Sequence, residues 1–170
     1  QLLQFCQKNA FKLVINTTAE ALDNGLAEQI NSTDSDHLIL SCNTASESNT
    51  HPLGAYRALC TSLNQHAMTT PLWIRNTTEA TLVPKDYYGD RLLESSILSG
   101  TLLCDGLGDV ISMETEPIAE KATTLAYNIL QGSRARISKT EFVACPSCGR
   151  TLFDLQEVTQ TIRARTDHLK

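Results

Sequence analysis

The sequence predicts an α/β fold: four consecutive strand–helix units, then the start of a second, smaller α+β unit. Three observations carry this. Short β-rich apolar runs alternate with longer amphipathic runs across residues 11–131. The intervening segments are long enough to return the chain for parallel pairing, which needs a crossover of a dozen or more residues. A polar, basic stretch without apolar periodicity, GSRARISKT at 132–140, then separates these units from a new apolar run.

The strand-like runs are FKLVINTT (11–18), HLILSC (37–42), PLWIRNTT (71–78), DVISMET (109–115) and EFVAC (141–145). Each is short and rich in β-branched or aliphatic residues, as expected of strands. Helices are expected at 19–30, 52–66, 89–103 and 117–131. In the last of these, Ile118, Ala122, Leu125, Ala126, Ile129 and Leu130 recur on one face. Pro117 suits its first turn and Gly132 its C-terminal stop. A final helix at about 151–167 places Leu152, Leu155, Val158 and Ile162 on one side. Four such units fit half of a (β/α)8 barrel or a small doubly wound sheet. The expected division is 1–133, a linker at 134–139, and 140–170.

The chain has 170 residues, long enough for one domain with a hydrophobic core and part of another. Apolar residues make up 41% and charged residues 19%, ordinary for a soluble globular protein. A net charge of −5 leaves no basic footprint for nucleic acid or an anionic membrane. No apolar run approaches the ~18 residues a membrane span requires, and no signal-peptide pattern opens the chain. QLLQFCQKNAF at the start reads instead as an amphipathic helix from inside a domain, so a segment of a longer protein is expected.

Six cysteines are present, at 6, 42, 60, 104, 145 and 148. Cys6, Cys42, Cys60 and Cys104 are isolated in apolar or helical surroundings and are expected as buried free thiols in a reducing cytosol. Sequons at Asn16, Asn31 and Asn76 carry little weight in that compartment.

Cys145-Pro-Ser-Cys148 is the one concentrated candidate site, expected between a strand and a helix N-terminus that favours thiolate. Zinc needs four nitrogen or sulfur ligands, but the nearest other cysteine is Cys104 and His168 is a lone candidate. A thioredoxin-like dithiol needs only two cysteines, although most of its fold lies downstream of the motif. An iron–sulfur cluster also needs further ligands. Spacing alone leaves all three open.

Elsewhere, Asn16-Thr17-Thr18 echoes Asn76-Thr77-Thr78 at strand ends, where barrels place their chemistry. Caps and turns are the simpler expectation. DGLGD at 105–109 is expected as a tight turn rather than a metal or phosphate loop. His37, His51, His66 and His168 are scattered and receive no role.

TEFVACPSCGRTLFDLQEV (140–158), with SGTLLCDGLGDVI (99–111) and ILQGSRARISKT before it, resembles the 4-hydroxy-3-methylbut-2-en-1-yl diphosphate synthase family. HLILSCNTAS, HPLGAYRALC and PLWIRNTTEA resemble earlier βα units of the same family, more loosely. The resemblance implies the end of the barrel-like domain inserted in the three-domain forms, followed by the beginning of an iron–sulfur domain. It implies reductive opening of 2-C-methyl-D-erythritol 2,4-cyclodiphosphate with electrons from ferredoxin or flavodoxin, in a bacterial cytoplasm or plastid stroma. It implies a [4Fe–4S] cluster held by three cysteines and a glutamate, with Cys145 and Cys148 as two of the four ligands.

Two departures qualify this. The diphosphate-gripping patterns of the catalytic barrel, such as VKAS, are replaced here by Cys42-Asn43-Thr44-Ala45-Ser46 and Ile74-Arg75-Asn76-Thr77-Thr78. Arg75 is therefore expected in a structural role rather than on phosphate, and the insert in a spacing role. The later GCxVNGPGE motif, source of the other two ligands, is absent. This chain by itself is expected to be inactive and without a cluster, with a dithiol or zinc module as the alternative.

Overall fold

The computed structural model describes residues 2–32, 36–43, 51–77, 87–141, 143 and 148–169. Four parallel strands, β1 (Leu13–Thr17), β2 (Leu38–Cys42), β3 (Leu72–Asn76) and β4 (Val110–Met113), form one sheet in the order β1-β2-β3-β4. β1 and β2 pair along their full length from Leu13↔Leu38 to Thr17↔Cys42. β3 and β4 pair from Trp73↔Val110 to Asn76↔Met113. β2 and β3 share only Leu40↔Leu72 and Ser41↔Trp73.

Alternation along each strand sends Leu38, Leu40, Leu72 and Ile74 to one face, where all four are buried. α4 (Pro52–Gln65) covers that face with Ala55, Tyr56 and Leu59. Leu98 and Leu102 join the same core from the segment before β4. α7 (Ala119–Gly132) packs Leu125 and Ile129 on Met113 and Ile111. Sequential strand order with every crossover returning on one face is the winding of a (β/α) barrel. A doubly wound sheet would place helices on both faces.

The helices depart from their expected bounds for local reasons. α1 (Leu2–Lys8) precedes β1. The predicted 19–30 helix is broken into α2 (Ala19–Ala21) and α3 (Ala27–Asn31) around a Leu22–Leu26 turn. Gly25 adopts φ +106° there, a left-handed conformation that ends one helix and starts the next. α5 (Tyr88–Ser95) runs through a π-turn at Ser96–Gly100 into α6 (Thr101–Cys104).

α7 begins at Ala119 with Ile118 as N-cap, so Pro117 lies before the helix rather than in its first turn. Gly132 is its last helical residue, not its stop. The left-handed turn after it falls on Arg134, at φ +62°. In the predicted 141–145 strand, residues 141 and 143 are not in a strand, and the others lie outside the described residues. α8 (Leu155–Thr166) is shorter than the expected 151–167 and buries none of its residues. No helix among the described residues is long and apolar enough to cross a membrane.

Candidate functional site

Cys148 carries a free, exposed thiol. It opens a tight turn in which the Thr151 N–H donates to the Cys148 carbonyl at 3.0 Å. Cys145, the other predicted ligand, lies outside the described residues. The expected helix N-terminus is not adjacent to the thiol: α8 starts only at Leu155. One of its N-terminal N–H groups, that of Glu157, already donates to the Asp154 carboxylate at 3.0 Å. The placement is dictated by the sequence after Cys148, where Gly149 turns the chain and Asp154 supplies the first strong cap.

His168 follows the far end of α8, with 12 helical residues, about 18 Å, between it and the N-cap. Among the described residues no group of three or more His, Cys, Asp or Glu could hold a metal. Cys6, Cys42 and Cys60 are buried as expected, but Cys104 is exposed at the end of α6. Burial also raises the Cys60 thiol above its ordinary pKa, with Asp109 adding to the shift.

The segment 134–139 is held against α7 rather than free of it. The buried Gln131 amide accepts from Ser138 and Lys139 N–H groups, each at 3.0 Å, and donates to the Lys139 carbonyl at 2.8 Å. Arg134 pairs with Glu141 at 2.6 Å, and Arg136 lies 5.4 Å from the Tyr127 ring centroid. One buried glutamine thus sets how the chain leaves the βα units.

At the strand ends, Arg75 forms a two-point pair with Glu114, Nε and Nη2 reaching the two carboxylate oxygens at 2.8 and 2.7 Å. The guanidinium lies 5.5 Å from the Trp73 ring centroid. Trp73 Nε1 donates to Ser112 Oγ at 3.0 Å, and Ser112 donates on to Glu114 at 2.8 Å. The hydrogen bond from Arg75 holds the Glu114 carboxyl below its ordinary pKa, with a contribution from Ser112. Arg75 therefore has the structural partner expected of it.

Of the echoing Asn-Thr-Thr motifs, the first supplies a cap and the second a buried bridge at Asn76, with Thr78 outside the described residues. Thr18 caps α2 by accepting from Ala21 N–H at 3.2 Å. Asn76 is buried and donates to Ser99 Oγ and to the Ser112 carbonyl.

DGLGD is a turn. Gly106 and Gly108 adopt φ +76° and +94°, and a Cβ on Gly108 would sit 2.3 Å from Ile74 Cδ1. Asp105 receives Arg57 at 2.7 and 2.9 Å, and the Asp109 carboxylate accepts from Leu72 N–H at 2.8 Å. Both carboxylates serve the fold.

Three polar arrangements gave no sequence signal. Arg91 and Glu116 form a buried pair at 2.9 Å. Asp23 accepts from Ser62 Oγ at 2.6 Å and contacts His66 Nε2 at 3.1 Å. These contacts, Ser62 first, lower the Asp23 pKa. His51, given no role above, N-caps α4 through Nδ1. Each partner is tens of residues away in the chain or has no recognisable cap motif.

No family model matches the chain. It is 41% identical over 122 residues to the flavodoxin-type 4-hydroxy-3-methylbut-2-en-1-yl diphosphate synthase of Chlorobaculum tepidum, an alignment covering 70% of this chain and 15% of that protein. It is 53% identical over 83 residues to the flavodoxin-type synthase of Leptospira interrogans, covering 48% of this chain and 12% of the relative. The ferredoxin-type chloroplastic synthase of Arabidopsis thaliana is 46% identical over 88 residues, with 51% and 12% covered. The chain thus spans about 12–15% of the length of these three relatives. On these alignments the chain belongs to the 4-hydroxy-3-methylbut-2-en-1-yl diphosphate synthase family and corresponds to a short segment of its longer members.

Proposed function

We propose that the protein contributes to an iron–sulfur oxidoreductase of isoprenoid biosynthesis, which opens 2-C-methyl-D-erythritol 2,4-cyclodiphosphate to 4-hydroxy-3-methylbut-2-enyl diphosphate. The observation carrying this is the 41% identity over 122 residues to a synthase of that name. In this reading residues 1–133 are the closing part of a barrel-like domain, 134–139 the link, and 140–170 the start of the cluster-bearing domain. The chain by itself is inactive. The electron donor is flavodoxin or ferredoxin, the two named for relatives. The compartment is a bacterial cytoplasm or plastid stroma.

Cys145 and Cys148 are two of the four ligands to a [4Fe–4S] cluster. The free, exposed thiol of Cys148 suits this, as does a turn that keeps it clear of the packed core. When bound, the cluster supplies two electrons to the substrate. This chain's part is to present thiolates at a fixed position relative to the βα units. The Gln131 contacts to 138–139 favour a defined exit from α7. The Arg75–Glu114 pair supports a spacing role for the βα units, because the guanidinium is already engaged by a carboxylate.

A chimera tests the reading: this chain replaces the aligned segment of the Chlorobaculum tepidum relative and is reconstituted anaerobically with iron and sulfide. Stoichiometric iron, visible cluster absorbance and ring opening are expected, and Cys148→Ser should remove the absorbance. Uptake of zinc in place of iron, or full iron content in the Cys148→Ser chimera, would overturn the cluster assignment.

A further inference from the structure

We infer that the basic segment 134–139 is a splint clamped along α7 by Gln131, so that the pivot toward Cys145 and Cys148 lies after Glu141 and not within the segment. Gln131 stands one residue before the end of α7 and is only 3% exposed. A glutamine near a helix end ordinarily turns to water. Here Oε1 accepts from the Ser138 and Lys139 N–H groups at 3.0 Å each and from Ser138 Oγ at 3.2 Å, and Nε2 donates to the Lys139 carbonyl at 2.8 Å. Shielded from water, these bonds meet little competition from solvent and hold the segment firmly.

The rest of the segment follows the same helix. Arg136 N–H donates to the Leu130 carbonyl at 3.1 Å, and its guanidinium lies over the Tyr127 ring. Lys139 Nζ donates to Asn128 Oδ1 at 2.9 Å, and Arg134 reaches Glu141 at 2.6 Å. Arg134 holds φ +62°, a left-handed conformation that residues other than glycine adopt rarely. The fold keeps it where the arginine side chain spans the clamped loop. Exposed, basic and without apolar periodicity, 134–139 has the composition of a flexible link, but its contacts make it part of α7.

For the proposed cluster site, and resting on that reading, the consequence is one of range. From Ser133 to Cys148 is fifteen residues, and from Glu141 to Cys148 is seven. Fully extended, such tethers reach about 50 Å and about 25 Å. A shorter tether raises the effective concentration of the thiolates near the βα units. Gln131 is thus a positioning residue, acting by fixing where the tether begins.

Trypsin tests the clamp on the 170-residue chain, because Arg134, Arg136 and Lys139 are all exposed cleavage sites. Cleavage requires the backbone to open locally. Wild type should be cut first at Arg150, in the exposed turn after Cys148, and about tenfold more slowly within 134–139. Gln131→Ala should speed cleavage after Arg136 and Lys139 about tenfold. Gln131→Glu keeps the acceptor but not the donor to the Lys139 carbonyl and should fall between. Arg134→Gly relieves the left-handed backbone and removes the Glu141 pair, so it should melt no lower than wild type and yet be cut faster at the same two bonds. Cleavage of wild type within 134–139 at the Arg150 rate, or no acceleration in Gln131→Ala and Arg134→Gly, overturns the inference. In the reconstituted chimera, Gln131→Ala should keep full iron and an unchanged KM while kcat falls about tenfold. An unchanged kcat overturns the positioning role. A wild-type chimera without iron overturns the cluster reading instead, and the tryptic result still decides the clamp.

Discussion

The Tyr56 hydroxyl accepts the backbone N–H of Arg75 at 2.9 Å and so takes the place of a sheet hydrogen bond. β2 and β3 share only two register pairs. Past them the hydroxyl, carried on α4, also donates to the Trp73 carbonyl at 3.3 Å and lies 3.4 Å from Ser41 Oγ. Burial raises the Tyr56 pKa, so the neutral phenol holds this position at all ordinary pH values.

Tyr56→Phe keeps the ring and removes these bonds. Leaving a buried N–H without its partner costs about 1–3 kcal/mol. Urea unfolding followed by the fluorescence of Trp73, the single tryptophan, should show that loss. An unchanged midpoint would mean that the hydroxyl does not support the gap between β2 and β3.

Glu116 has a fully buried side chain, paired with an Arg91 side chain only 13% exposed. Its carboxylate also accepts from Ile118 N–H at 3.2 Å, just before α7. Glu116→Ala removes the carboxylate from a largely buried ion pair and should cost about 3–5 kcal/mol. The exposed-pair variant Asp105→Ala, which removes the partner of Arg57, should cost about 1 kcal/mol or less. Equal losses in thermal unfolding would contradict the contrast.

Gly108 and Gly25 separate two costs of a positive φ. Gly108→Ala adds the left-handed strain, about 1–2 kcal/mol, and a clash with Ile74 at 2.3 Å. Gly25→Ala meets open space, so only the strain applies. The first substitution should therefore destabilise clearly more than the second in chemical denaturation.

Acid should loosen two contacts in the same pH window. Glu114 and Asp23 both have pKa values below their ordinary 4.5 and 3.8. A lowered folded pKa means the unfolded chain binds protons first as pH falls. The stabilisation is thus complete above about pH 5 and lost progressively as pH drops through the folded values. Glu114→Gln should flatten this slope in denaturation measured from neutral to acid pH. An unaltered slope would show that its pairing is not linked to folding.

Thiol labelling should divide the described cysteines into two classes. Cys104 and Cys148 are exposed, whereas Cys6, Cys42 and Cys60 are buried. Under native conditions iodoacetamide should modify the first pair quickly and the other three only as the chain unfolds. Peptide mapping by mass spectrometry would reveal any early reaction at Cys60, whose thiol is also disfavoured as thiolate.

Local composition determined the positions of β1 to β4 to within a few residues, because alternation and short β-rich runs are local signals. The glycine turn at 105–109 was a local signal too, whereas the family, and with it the structural role expected of Arg75, came through the resemblance of the run around CPSCGR. Winding was a different matter: a barrel and a doubly wound sheet share the same local pattern, and only the strand order separates them. The break at Gly25, the exposure of Cys104 and the distance in sequence between Cys148 and the start of α8 also needed the structure. So did Tyr56 beside Arg75, Gln131 beneath 138–139, and Glu116 against Arg91. In each case the partners are joined by long-range packing, which no periodicity in the chain records.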